Sequence, residues 1–183
     1  VTSIDLPNEK KGLIPNRMYM SKTYKDKGGW SAGHLLNLSI GQGEVLVTPL
    51  QIMNLMNVIS NKGYYYSPHL NINKDKVKNS VKYDRGVYET IKKSMYDAVN
   101  KNNGTAYNAK VNYDFVKTYG KTGTVQLCSN CEIEPHGWFG GFIEMENGKK
   151  FSICILIENG GKGSNIPSIM ARDIFNFIVD NDV

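Results

Sequence analysis

The chain has 183 residues, 40% of them hydrophobic and 21% charged. That is the balance of one ordinary globular domain and argues against global disorder. Its longest apolar run, Phe151 to Ile157, falls far short of the ~20 residues that cross a bilayer, and the opening Val1-Thr2-Ser3-Ile4-Asp5-Leu6-Pro7 lacks the basic start and apolar core of a signal peptide. Net charge is +5, carried by lysines scattered along the chain with only three arginines, so a lysine-rich solvated surface is expected rather than a nucleic-acid interface. The absence of an initial methionine reads as a fragment or a processed product.

Residues 1–35, punctuated by Pro7, Gly12, Pro15, Gly28-Gly29 and Gly33, show little periodicity and are expected to be loop with at most a short turn of helix. Thr48-Pro49 is a helix-start signal, with proline where a missing N–H is harmless. From Leu50 to Ile59 the sequence is apolar nearly all round, which predicts a buried helix closed by Gly63. Tyr64-Tyr65-Tyr66 after it reads as an exposed strand start. A second helix is expected from Arg85 to Lys101, with Val87, Ile91, Met95, Ala98 and Val99 on its inner face.

The chain then turns β-rich. Residues 115–127, 137–146 and 150–158 read as three strands, the last two joined by the hairpin signal Asn147-Gly148. A final helix over Ile166–Asp180 carries Ile166, Ile169, Met170, Ile174, Phe177 and Ile178 at helical spacing. Helices, an antiparallel meander and a covering helix make an α+β fold.

Lys121-Thr122-Gly123-Thr124 lies inside the first strand of the meander. As a bare pattern Lys-[Ser/Thr]-Gly is weak; at this composition about one shuffled chain in five would contain it. A glycine in a strand interior, however, lets a ligand approach the backbone closely. A cation and two hydroxyls beside it would form an anion clamp, against the plainer reading of a surface lysine and two β-favouring threonines on an ordinary strand. Cys128-Ser129-Asn130-Cys131 admits three readings: a redox pair, half of a zinc site with His136, and a local disulfide or free pair. Cys154, mid-strand, reads as a small buried hydrophobe. His34 and His69 read as surface or capping residues, and Trp138 and Phe139 as core.

Four blocks, in order, resemble one family. Ile4-Asp5-Leu6-Pro7-Asn8-Glu9-Lys10-Lys11-Gly12-Leu13-Ile14-Pro15, the stretch Leu36 to Gln51 with Ser39-Ile40-Gly41-Gln42-Gly43, His136-Gly137-Trp138-Phe139-Gly140-Gly141-Phe142, and Ile157-Glu158-Asn159-Gly160-Gly161-Lys162-Gly163-Ser164 all resemble segments of class B penicillin-binding proteins of the cell-elongation type, penicillin-binding protein 2. The resemblance implies a partial penicillin-binding/serine β-lactamase-like transpeptidase fold. It also implies peptidoglycan D,D-transpeptidation through a serine acyl-enzyme, on stem peptides that β-lactams mimic, with no cofactor.

In that reading Thr122 and Thr124 hold the donor carboxylate and Gly123 lets the acyl chain lie along the strand. Lys121 sets the local potential and the Thr124 N–H is one of two oxyanion donors. Elongation-complex membrane proteins are the implied partners, and the implied location is the periplasmic, extracytoplasmic face of the bacterial inner membrane, with the anchor outside this chain. There, oxidation of Cys128 with Cys131 is the favoured outcome.

The departure from the family pattern is large. None of the twelve serines has Lys three residues on or Asn two residues on. The family's Ser-x-x-Lys nucleophile motif and its Ser-x-Asn motif are therefore missing, and in the family both precede the segment matching Val1. Residues 1–183 are accordingly expected to be the C-terminal portion of the domain, inactive alone, with an apolar face exposed where the missing helices would pack. The alternative is a binding module, a penicillin-recognising sensor or dead homologue using the same strand without turnover. A D,D-carboxypeptidase or serine β-lactamase is disfavoured by the Asp5-Leu6-Pro7 and Ser39-Ile40-Gly41-Gln42-Gly43 blocks.

Overall fold

The computed structural model describes residues 1–126 and 132–181. They divide into two compact units, one formed by Val1 with Leu6–Thr48, the other by Thr2–Asp5 with the chain from Pro49 onward.

The first unit is more helical than its sequence suggests. Helix α1 spans Arg17–Thr23, started by the Asn16 side chain, which accepts the Tyr19 N–H at 2.8 Å. Helix α2 spans Ala32–Ser39 and opens with a reciprocal cap between Ser31 and His34, whose Nδ1 accepts the Ser31 N–H at 3.0 Å. Both helices are too short to show an apolar stripe, so their signal lies in the polar caps. The loop between them packs the Tyr24 ring on His34 and hydrogen-bonds the Tyr24 hydroxyl to Glu44.

The second unit holds two sheets. The smaller pairs β1 (Tyr64–Tyr66) with β2 (Lys78–Ser80), and the Lys78 ammonium lies 4.0 Å from the Tyr64 ring centroid. Beside it, the Asp5 carboxylate accepts the N–H groups of Leu70 and Asn71, holding that loop. The larger sheet is antiparallel and consists, in spatial order, of β3 (Val116–Val125), β4 (His136–Met145) and β5 (Lys150–Ile157). Register between β3 and β4 runs unbroken from Val116 opposite Met145 to Val125 opposite His136. The Asn147-Gly148 turn joins β4 to β5, with Gly148 at φ 86°.

Helices cover both faces of the larger sheet. Helix α3 (Pro49–Ser60) and the inner side of α4 (Arg85–Asn100) bring Met56, Ile59 and Met95 onto Tyr119 and Phe142, whose rings stack at 4.7 Å. On the opposite face, α5 (Ile166–Asp180) packs Ala171 and Phe175 against Phe139, Ile143 and Ile155.

Two helix faces differ from the sequence expectation. In α4 the buried stripe is Tyr88, Lys92, Met95 and Val99, while Val87 and Ile91 stay 42% and 37% exposed. In α5 it is Pro167, Ser168, Ala171 and Phe175, while Ile166, Met170, Ile174 and Phe177 are exposed. Both helices carry two apolar stripes, and the one with small residues or a paired polar group lies closer to the sheet. Helix α3, expected to be buried nearly all round, is buried only at Asn54, Met56, Val58, Ile59 and Ser60; Leu55 is likewise exposed and Leu50, Gln51, Ile52, Met53 and Asn57 are half-buried. Together Leu55, Val58, Val87 and Ile91 line an apolar groove of about 660 Å³ that reaches Lys121.

Candidate active-site strand

The Lys121–Thr124 segment occupies the second half of β3, an edge strand of its sheet among the described residues. The outer edge of its first half is covered: Asn100 at the end of α4 donates its Nδ2 to the Thr118 carbonyl at 2.9 Å. In an antiparallel pair each residue points both backbone polar groups to one side, alternating along the strand. Thr118 points away from β4 and the register is unbroken. Every second residue after it, Gly120, Thr122 and Thr124, therefore also turns its N–H and C=O to the outer edge.

Side chains alternate as well. Lys121 and Gly123 share the α3 face with Tyr119; Thr122 and Thr124 share the α5 face with Thr118. The ammonium of Lys121 folds over the edge and donates to the Thr122 carbonyl at 2.8 Å. The strand therefore brings donors together at its end: the Thr124 N–H, the hydroxyl of Thr124, an exposed residue, and a lysine. Such a row suits an anionic group with more than one acceptor oxygen.

Sequence reasoning misses one neighbour of this edge. The segment between β5 and α5 lies on the α5 face of the strand, where the Gly163 N–H donates to the Thr124 Oγ1 at 3.3 Å. A methyl group at Gly163 would lie 2.3 Å from the carbonyl oxygens of both Gly123 and Trp138, so only glycine fits. Gly137, opposite Thr124 in the register, is equally confined, its added methyl meeting the Gly161 carbonyl oxygen at 2.9 Å. The glycine-rich run 160–163 is the signal the sequence offers for this packing.

His136 begins β4, and its Nδ1 accepts the Asn159 N–H at 3.0 Å, so that nitrogen ties the β5 end to β4. Cys128 and Cys131 lie outside the described residues. Cys154 sits mid-strand in β5, and burial pushes its thiol up to about 12. His69 Nδ1 lies 3.1 Å from the Ser67 carbonyl.

The family model described as the penicillin-binding protein transpeptidase domain matches residues 1–177. The chain belongs to that family. Among curated relatives, the peptidoglycan D,D-transpeptidase MrdA of Haemophilus influenzae is 27% identical over 98% of this chain, and that of Escherichia coli K12 is 26% identical over 99%. The chain spans about a third of the length of these relatives: 30% and 31% respectively.

Among solved structures, the transpeptidase-domain chain is similar to the complex between penicillin-binding protein PBP2 and MreC from Helicobacter pylori, with a TM-score of 0.85 at 27% identity. That match covers 98% of this chain and 33% of the other. A chain from a peptidoglycan synthase complex that coordinates polymerization and crosslinking matches with a TM-score of 0.73, also at 27% identity, over 94% of this chain and 30% of that one. The α+β fold expected from the sequence is thus that of penicillin-binding transpeptidases.

Proposed function

We propose that this chain is the C-terminal portion of the catalytic domain of an elongation-type peptidoglycan D,D-transpeptidase and supplies the strand that binds the donor's terminal carboxylate and its oxyanion. The observation that carries the proposal is the outward-facing Thr124 N–H on a strand that lies at the sheet's edge among the described residues, with the Thr124 hydroxyl and Lys121 beside it. A D-Ala-D-Ala terminus offers a carboxylate to the Thr122 and Thr124 hydroxyls and a scissile carbonyl to the strand. As that carbonyl becomes an oxyanion, the Thr124 N–H is already oriented toward it and needs no reorganisation. Gly123 leaves the α3 face of the strand without a side chain where the acyl portion would lie.

The nucleophilic serine and its base lie outside these residues on this reading, since no serine here stands in a Ser-x-x-Lys setting. The reaction belongs to the extracytoplasmic face of the inner membrane; among the described residues no helix is long and apolar enough to cross a membrane, so an anchor would be elsewhere. The name of the Helicobacter pylori complex supports an MreC-like protein as partner.

The test is acylation of the whole protein by benzylpenicillin, followed by intact-protein mass. Lys121→Ala and Thr124→Ala should each slow acylation about tenfold or more, the scale of one charge-assisted hydrogen bond. The 183-residue chain alone should gain no mass. Unchanged rates in both variants, or stoichiometric acylation of the isolated chain, would refute the assignment.

A further inference from the structure

A threonine hydroxyl has one proton to give and two lone pairs to receive, so its role at a binding edge is set by what its neighbours occupy. At Thr124 the neighbour is a donor, the Gly163 N–H at 3.3 Å. With an oxygen lone pair engaged on the α5 side, the hydroxyl proton is left for an acceptor outside. A carboxylate can only accept. The contact therefore biases an ambiguous group toward the role that carboxylate binding needs.

Gly163 is itself held. Its carbonyl accepts the Ser168 Oγ–H at 2.7 Å, a bond that is buried, and Ser168 is 0% exposed in the first turn of α5. The Asn165 N–H closes a turn onto the Lys162 carbonyl at 3.0 Å, and the Asn108 Nδ2 holds the next carbonyl, that of Ser164, at 2.8 Å. The backbones of Gly123 and Trp138 leave Gly163 no room for a side chain. Of these restraints, Ser168 is the side chain that acts on Gly163 directly.

We propose that Ser168 is a positioning residue for carboxylate recognition, which acts through Gly163 to aim the Thr124 hydroxyl proton at the ligand. The inference rests on the reading of Thr124 as a carboxylate donor. The N–H that faces Thr124 belongs to the Lys162–Gly163 peptide, which the Asn165 turn also holds; Ser168 fixes the Gly163–Ser164 peptide, and without it the bend at Gly163 loosens and the N–H tilts away from Thr124. The Thr124 hydroxyl can then turn its proton inward, and a ligand carboxylate meets an oxygen rather than a hydrogen.

The experiment compares acylation of the whole protein by benzylpenicillin and by its methyl ester, which keeps the β-lactam and removes the charge. The acid-to-ester rate ratio is taken on one preparation, so loss of folded protein cancels. Thr124→Ala should lower the ratio about tenfold or more, and Ser168→Ala about three- to tenfold, the scale of one neutral hydrogen bond. Ser168→Cys, near in size but a weaker donor, should lower it less and serves if the alanine variant does not fold. Ser168→Ala in a Thr124→Ala background should lower it no further.

If Thr124→Ala leaves the ratio unchanged, the carboxylate reading of Thr124 itself is wrong. If Thr124→Ala lowers the ratio while Ser168→Ala and Ser168→Cys leave it at the wild-type value, Thr124 binds the carboxylate unaided and the role of Ser168 is overturned.

Discussion

The ammonium of Lys92 on α4 lies 2.8 and 2.9 Å from the two carboxylate oxygens of Glu144 on β4, in a site where Lys92 is only 8% exposed. Lys150 joins from β5 at 3.0 Å, and the Lys92 ammonium also sits 5.1 Å from the centre of the Tyr119 ring. One of the chain's many lysines is thus an internal tie between helix and sheet, directly under the strand that carries Lys121. Replacing Lys92 by Met leaves a half-desolvated carboxylate with one remaining lysine partner. The expected cost is about 3 kcal/mol of unfolding free energy, read from urea denaturation. Combining Lys92→Met with Glu144→Leu should recover part of it. A loss below about 0.5 kcal/mol for the single variant would mean the tie contributes nothing.

The same carboxylate gives a pH dependence. Burial pushes the Glu144 carboxyl up, but hydrogen bonds from Lys92 and Lys150 outweigh it and hold the group below its ordinary value of 4.5. A depressed folded-state value means the unfolded chain takes up the proton first as pH falls. The stabilisation is therefore complete above the ordinary value and lost as pH drops through the folded one. Melting temperatures measured from about pH 6 to pH 3 should fall less steeply for Glu144→Gln than for the wild type. Parallel curves would remove Glu144 from the acid response.

Cys154 supplies a third expectation. With its thiol raised to about 12 by burial, almost no thiolate exists near neutral pH. Iodoacetamide at mildly alkaline pH should leave Cys154 unmodified in the folded protein and label it once denaturant is added, as read by peptide mass. Rapid labelling under native conditions would show that β5 opens readily at that point.

The meander is legible in the sequence because every signal there points the same way. β-branched and aromatic residues make up six of the ten residues of 116–125 and half of 150–157, and Asn147-Gly148 between apolar runs marks the turn. The helices at Pro49 and Arg85 are legible from their length and apolar content, the first also from its Thr48-Pro49 start. Helices α1 and α2 are not, because in seven or eight residues no apolar period can show itself and the caps at Asn16 and Ser31 resemble loop chemistry. The inner faces of α4 and α5 escape the sequence for a different reason. Periodicity finds an apolar stripe but cannot tell which of two stripes meets the sheet; Ser168 and Lys92 are buried because specific partners await them, at Gly163 and Glu144. Of the candidate strand, residue types and their order can be read directly. The outward turn of the Thr124 N–H needs the Asn100 contact with Thr118, and the hold on its hydroxyl needs a residue 39 positions away.

Lys121 rests with its ammonium on the carbonyl of its own neighbour, Thr122. An ammonium has three protons to give, so this one bond leaves two N–H groups for an acceptor beyond the edge. It also spares the side chain part of the rotamer freedom that a long lysine otherwise loses on being fixed. The resting contact thus acts as a tether, keeping a flexible cation parked at the outer edge of β3 beside the Thr122 carbonyl.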